Sequence, residues 1–520
     1  MVSLHWADKI AGKLVKVFPK QKEYVAAAGI SPSGIVHIGN FRDIITSELI
    51  ARSLRDKKKK AKLIFIWDDY DRLRKIPQGV PKSFEKYVGM PLSEVPDPNK
   101  KAKSYADFFK KELEGTMDEL GIDINFISHS EEYKKNKYYK GIKLAMQKRK
   151  EIAEILAGFK TQGMTEEEIE GYYPLQIYCS KCNKDTTWIE DYDNEDLVTY
   201  ECKCGHKESV DISKKNIGKL QWKVDWAMRW QYYGINFEPG GTDHSTPGGS
   251  YDISKKIAKD IYGIIPPFFE GYAFVGITGV EKMSSSSGTG ISPKELLEIY
   301  EPAILRWFFA RIEPKKTITL CFDSELIRQY NMFDRVLDKH FSKELSGKEE
   351  RILELANTGV KWARIRVPFR QVASFGQIAQ GNIIQLKKMF DNVGQKYDDE
   401  NLKLRMKKSQ NWVNNFAEDL QVKVRESKNK VYYNKLSKGQ KEQVLGLLID
   451  LEKNWDLDKL TTLVYEVPRD ESLSDEENKK RQREFFKIIY QLMVDSDKGP
   501  RLPTFMLALG KKKVKELLNF

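Results

Sequence analysis

S-P-S-G-I-V-H-I-G-N, Ser31 to Asn40, is the stretch on whose reading the fold turns. A short apolar run, Tyr24 to Ile30, precedes it, and apolar residues recur after it at Ile38, Phe41, Ile45, Leu49 and Leu54. That spacing predicts a strand, a tight turn and an amphipathic helix. A helix beginning just after a Gly- and Ser-containing turn presents free backbone N–H groups and the positive end of its dipole, which suits phosphate. His37 and Asn40 fall in its first turn on one face, where both donate to the same phosphate oxygens. Taken alone, a His at such a place is more often a cap or a solvated side chain. A partner elsewhere in the chain decides between the two.

Working outward, four lysines, Lys57 to Lys60, lead into A-K-L-I-F-I-W-D-D-Y-D-R-L-R. The run Leu63 to Trp67 predicts a buried strand of a parallel sheet, whose ligands lie beyond the carboxyl ends of its strands. Asp68, Asp69 and Asp71 therefore land at the site rim. Three carboxylates so close repel one another unless a cation joins them. Either one caps a turn and another pairs with Arg72 or Arg74, or at least one binds a substrate ammonium. Gly79 to Lys100 reads as a surface loop. Ser104 to Leu120 then reads as a helix, Ile124 to Ser128 as a strand and Ser130 to Leu156 as a long basic helix, the βαβ rhythm of a doubly wound sheet.

Cys179-x-x-Cys182 and Cys202-x-Cys204, with His206 two residues on, form two knuckles whose soft ligands suit a tetrahedral structural zinc. Spacing leaves the fourth ligand open between Cys204 and His206. Lys219 to Tyr233 reads as a helix dense in aromatics, most of them core. In E-P-G-G-T-D-H-S-T-P-G-G-S, Glu238 to Ser250, Gly pairs flank Asp243 and His244. They let backbone approach a ligand, with Asp243 placed to accept from ribose hydroxyls. Phe268 to Ile277 reads as a strand delivering Tyr272 to the same rim. The loop Gly279 to Gly290 comes next, with K-M-S-S-S at Lys282 to Ser286. Its Gly and Ser content lets it close over a triphosphate and open again. This loop is the partner that the His37 turn requires.

The chain of 520 residues is long enough for three or four domains. Its net charge of +13 favours a polyanion such as nucleic acid, with an acidic membrane surface as the competing reading. No apolar run reaches about 18 residues and the N-terminus lacks a secretory h-region, which predicts a cytoplasmic protein without a membrane segment. Five cysteines do not make a disulfide framework, and Cys321 reads as core. Beyond about residue 325 the pattern is helical, with basic stretches such as Lys361 to Val372. Exposed Arg near aromatics suits unstacked RNA bases, although a solvated helix face is the better reading of any single Arg.

With these residues in place, the chain resembles the class I aminoacyl-tRNA synthetases. His37-Ile38-Gly39-Asn40 resembles their HIGH signature and Lys282-Met283-Ser284-Ser285-Ser286 their KMSKS signature. Asn40 stands where many members have His and keeps a hydrogen-bond donor. Ser285 stands where many have a second Lys, which leaves Lys282 the only cation of that loop. Within the class, W-D-D-Y-D-R-L-R, V-P-D-P, Q-W-K-V-D-W-A-M-R-W, G-G-T-D-H-S-T-P-G-G-S and E-G-Y-A-F-V-G resemble the archaeal type of class I lysyl-tRNA synthetase. Some of those relatives carry Cys and His after V-P-D-P. Here Asn99, Lys100, Lys101 and Ala102 stand in that place, so no metal is expected there.

The resemblance implies a Rossmann-like doubly wound parallel sheet with a zinc-knuckle insertion, followed by an all-α C-terminal domain. It implies catalytic domain halves at 1–145 and 221–290, an insertion at 146–220, a stem-contact segment at 291–350 and a helical anticodon-binding domain at 351–520. The implied activity is a lysine–tRNA ligase using lysine, Mg-ATP and tRNA(Lys), with structural zinc, as a monomer. His37, Asn40 and Lys282 are the implied catalytic set. Ser31, Pro32, Ser33, Gly34, His37, Gly39, Asn40, Gly241, Asp243, Lys282, Met283, Ser284 and Ser285 would hold ATP. Gly29, Ser31, Trp222, His244 and Tyr272 look like the lysine pocket, with Asp68 and Asp69 as acidic candidates. A glutamate-specific relative would need Arg there instead. The other readings are a further class I synthetase such as the glutamyl type, a small-molecule ligase of the same superfamily, and an RNA-binding zinc protein that has lost catalysis.

Overall fold

The computed structural model describes residues 5–76, 80–242, 244, 246–278, 290–417, 421–452 and 455–520. The chain divides into two compact units, one of residues Met1–Leu296, Pro302–Leu320 and Leu345–Val360, the other of Leu297–Glu301, Cys321–Glu344 and Lys361–Phe520.

In the first unit, α1 (Trp6–Val17) precedes β1 (Tyr24–Ile30), and α2 (Ile38–Asp56) leads from β1 to β2 (Ala61–Trp67). Next come β3 (Asn125–Ser128), β4 (Leu175–Ile177), β5 (Thr187–Tyr192), β6 (Leu197–Cys202), β7 (Lys207–Asp211), β8 (Gly218–Leu220), β9 (Phe237–Gly241) and β10 (Phe268–Tyr272). Five of these strands form one wholly parallel sheet in the order β10-β9-β1-β2-β3. The order reverses between β1 and β9, and at such a switch point a crevice opens beyond the strand ends. Alternation along the strands puts Val25, Ala27, Ile64 and Ile66 in one core with Trp226 and Trp230. At the rim, a side chain on Gly29 would meet the Ile66 carbonyl oxygen at 2.9 Å, so β1 and β2 need glycine there.

The strand, turn and helix around Ser31 to Asn40 form as the periodicity predicts, with Ile38, Phe41, Ile45, Leu49 and Leu54 all buried. Four elements differ. The helix expected over Ser104 to Leu120 ends at Glu114, beyond which the chain turns. Ser130 to Leu156 is three helices, His129–Lys134, Tyr139–Gln147 and Arg149–Ala157; the first break holds Asn136 at a left-handed φ of 53°, and the second falls at Lys148. The aromatic helix begins only at Trp222, since Gly218–Leu220 pairs with β4. Phe268 to Ile277 breaks after Tyr272: the buried Arg42 guanidinium takes the carbonyls of Ala273 and Phe274, and Val275–Ile277 (β11) pairs with Ile318–Leu320 (β12).

The named elements of the second unit are all helices, among them Glu325–Ser342, Phe369–Ile378, Asp399–Phe416 and Asp475–Val494. Arg405, fully buried, ties this unit internally through Glu301 at 2.9 Å and Asp334 at 2.8 Å. In the basic stretch 361–372, Arg366 is spent on Asp334 at 3.2 Å, while Arg364 and Arg370 are exposed. Cys321 is buried. Among the described residues no helix is long and apolar enough to cross a membrane.

Candidate functional site

The turn after β1 is held by Tyr105, whose hydroxyl donates to the Ser33 carbonyl at 3.0 Å; Pro32 and Gly34 are buried, Ser31 half-buried and Ser33 exposed. His37 is the N-cap of α2. Its Nδ1 accepts the Asn40 amide N–H at 3.3 Å, and the Asn40 side-chain oxygen accepts the His37 N–H at 3.3 Å. The cap and the phosphate ligand are thus not alternatives. An Nδ1 that accepts leaves the ring proton on Nε2, the nitrogen free of the cap. Burial holds the imidazole below its ordinary pKa, so it is neutral at pH 7 and still a donor. The free backbone amides expected here are partly used: Ile38 N–H donates to the Ile291 carbonyl at 2.9 Å and Asn40 N–H to the cap. That first bond also brings Ile291 against the start of α2. Asp243, Lys282, Met283, Ser284 and Ser285 lie outside the described residues.

The facing wall comes from β9 and the segment after it. Gly241 ends β9, and its carbonyl accepts the His244 N–H at 3.0 Å. The His244 ring lies 6.1 Å from those of both Trp222 and Trp226, which stack on each other at 4.7 Å. Tyr272 ends β10, half-buried, and its phenol hydrogen-bonds Asp43. Gly29, whose N–H reaches Asp43 Oδ2 at 3.3 Å, stands between the two walls.

Asp68 and Asp69 are at the end of β2, as expected, but both are already paired. Asp68 receives Arg229 at 2.7 Å and Lys219 at 3.5 Å, with His129 Nδ1 3.1 Å away. Arg229, first among these partners, holds its carboxyl well below the usual range against the cost of burial. Asp69 receives Lys110, the Ser128 hydroxyl at 2.6 Å and the Ser130 N–H at 2.7 Å. Asp71 takes Lys219, and Arg72 pairs with Asp185 at 2.7 Å. The repulsion foreseen among the three carboxylates is therefore relieved by cations of the chain itself, which sequence spacing did not reveal. Two other buried carboxylates also escaped notice: Asp43 on α2 and Glu238 on β9.

In the insertion, the sulfurs of Cys179 and Cys204 are 3.7 Å apart, those of Cys182 and Cys202 3.6 Å, and all four lie within 4.8 Å of one another. Zinc–sulfur bonds of about 2.3 Å place tetrahedral sulfurs about 3.8 Å apart, so the donor set fits that ion. His206 is turned away, bonding Ser180 Oγ at 2.9 Å and Glu208 at 3.4 Å.

The model of the family described as tRNA synthetases class I (K) matches residues 4–359. A lysine–tRNA ligase of Borreliella burgdorferi is 35% identical over 533 residues, covering 100% of this chain and 99% of its own length. The enzyme of that name from Pyrococcus horikoshii is 35% identical over 524 residues, 98% of each chain. Among solved structures, a glutamate tRNA ligase from Elizabethkingia meningosepticum, in complex with its amino acid, is 13% identical with a TM-score of 0.43, covering 96% of this chain and 99% of that one.

Proposed function

Since the chain belongs to the tRNA synthetases of class I (K) and is a lysine–tRNA ligase, we propose that it activates lysine at the carboxyl ends of β1, β9 and β10. Its substrates are lysine, ATP with magnesium and tRNA(Lys). The lysine carboxylate is ionised at neutral pH and attacks the α-phosphate in line, so no general base is needed. The protein's part is positioning and charge stabilisation. His37 donates from Nε2 to phosphate oxygens, Asn40 and the α2 dipole assist, and Lys282 supplies the loop's cation. Ser31 to Gly34, Gly39, Gly241, Asp243 and Met283 to Ser285 complete the ATP site. Gly29, Ser31, Trp222, His244 and Tyr272 enclose lysine. Pyrophosphate leaves, and the terminal ribose 2′-hydroxyl of tRNA takes the lysyl group, as the class I resemblance implies.

The observation that carries this reading is the His37 cap beside the sheet's switch point, in which Nδ1 accepts from the Asn40 N–H and Nε2 is left to donate. ATP–pyrophosphate exchange with each of the twenty amino acids, with and without tRNA, tests it: lysine alone stimulates exchange if it holds, and a different amino acid overturns the pocket.

We read the four-cysteine group as a structural zinc site, Cys179, Cys182, Cys202 and Cys204 closing the shell. In the second unit, Arg328, Arg335 and Arg370 line a cavity of about 530 Å³. Its charge suits tRNA phosphates and supports assigning the helical half to tRNA.

A further inference from the structure

The acidic candidates at the rim, Asp68 and Asp69, are committed to Arg229, Lys219 and Lys110, so a lysine pocket that needs a negative charge must draw it from elsewhere. Asp43 and Glu238 remain. Asp43 is 9% exposed, one turn beyond Asn40 on α2. Its Oδ2 serves the Gly29 amide, its carboxylate takes the Tyr272 hydroxyl, and its Oδ1 has no partner. Glu238 is 7% exposed on β9, its Oε2 accepting from Trp230 Nε1 at 2.6 Å. Among the described residues neither forms an ion pair. Arg229, whose charge acts on Glu238, is held by Asp68 at 2.7 Å and by Asp225 at 3.5 Å.

Two buried carboxylates without a counter-ion are costly, and each raises the cost of the other. Burial pushes both carboxyls up, and Glu238 adds to the rise at Asp43. One added cation relieves both at once. Gly29 and Tyr272, the two residues bonded to Asp43, belong to the proposed pocket, and a row of rings, Trp222 stacked on Trp226 and Trp226 beside the tilted Trp230, leads to Glu238. An apolar, aromatic wall with surplus negative charge at its end fits a tetramethylene chain that ends in an ammonium.

Resting on the lysine-pocket reading above, we propose that Asp43 and Glu238 are the acceptors of the substrate's side-chain ammonium. They set specificity for lysine against an uncharged side chain of equal length. Asp68 and Asp69 instead hold the rim in place.

The test uses the full-length enzyme and the isosteric variants Asp43→Asn and Glu238→Gln, read by ATP–pyrophosphate exchange. Norleucine, which is lysine without the ε-ammonium, serves as a competing ligand. Each variant raises the KM for lysine about tenfold or more, the scale of a lost charged hydrogen bond. The KM for ATP and the inhibition constant of norleucine stay within about twofold. Should one variant not fold, as judged by thermal melting, the other carries the test alone. An unchanged lysine KM in a folded variant overturns the assignment. So does an equal weakening of lysine and norleucine, which would place the lost contact at the α-ammonium or in the fold. If the wild-type enzyme shows no lysine-dependent exchange, the pocket reading itself fails, before any variant is compared.

Discussion

Asp68 Oδ1 and Arg229 Nη1 meet at 2.7 Å with both side chains buried, tying the end of β2 to the helix Trp222–Tyr233. A buried pair is weak evidence of net stabilisation, but removing one partner leaves the other charge stranded. Arg229→Ala is therefore expected to destabilise the first unit by about 3–5 kcal/mol, measured by denaturant unfolding. Asp68 is held well below the usual carboxylate range, so its contribution is full above the unfolded pKa of about 3.9. It is lost as pH falls through the folded value. Stability that stays flat as pH drops below about 4 would contradict this.

Gly290 lies against His37, at the start of α2. A Cβ there would sit 2.5 Å from the Cβ of His37, so Gly290→Ala pushes the imidazole off its cap. The exchange rate should fall by about tenfold or more while the melting temperature changes little, since a misplaced catalytic group costs rate more than fold.

The zinc reading separates two residues that spacing alone could not. Purified wild-type protein and His206→Ala should each carry about one zinc per chain, and Cys204→Ala should lose it, as measured by metal analysis. Zinc lost in His206→Ala but kept in Cys204→Ala would reverse the assignment.

Lysine affinity should depend on pH in a definite sense. Burial raises the free-site pKa of Asp43 and Glu238, whose charged surroundings are each other, the Tyr272 phenol, Asp68 and Arg229. An ammonium favours their ionised forms, so binding releases protons and the KM for lysine rises as pH falls. Calorimetry in buffers of different ionisation enthalpy reads the release directly. Proton uptake on binding is the contrary outcome.

The sheet and its first turn were legible because short apolar runs and a Gly-Ser turn are local signals, and Tyr24–Ile30 is β1 residue for residue. What the sequence hid was non-local. A turn holding a left-handed Asn136 interrupts a continuous helical pattern, and Arg42 breaks the strand after Tyr272 from more than two hundred residues away. The partners of Asp68 and Asp69 come from Lys110, Lys219 and Arg229, whose spacing from them carries no periodic signature. Asp43 was concealed by lying on a helix that buries nearly every side, where a charged residue is easily read as solvent-facing. The notable gain concerns His37, since a cap and a phosphate ligand read as competitors in sequence, whereas in the fold the cap uses Nδ1 and leaves Nε2 to donate.

The most direct test of the account is single-turnover formation of lysyl-adenylate by His37→Ala. If Nε2 of His37 stabilises the charge that builds on the α-phosphate, the rate falls roughly a hundredfold or more while ATP and lysine still bind with affinities within about twofold of wild type. A rate equal to wild type would contradict the central claim, leaving His37 as no more than the cap of its helix.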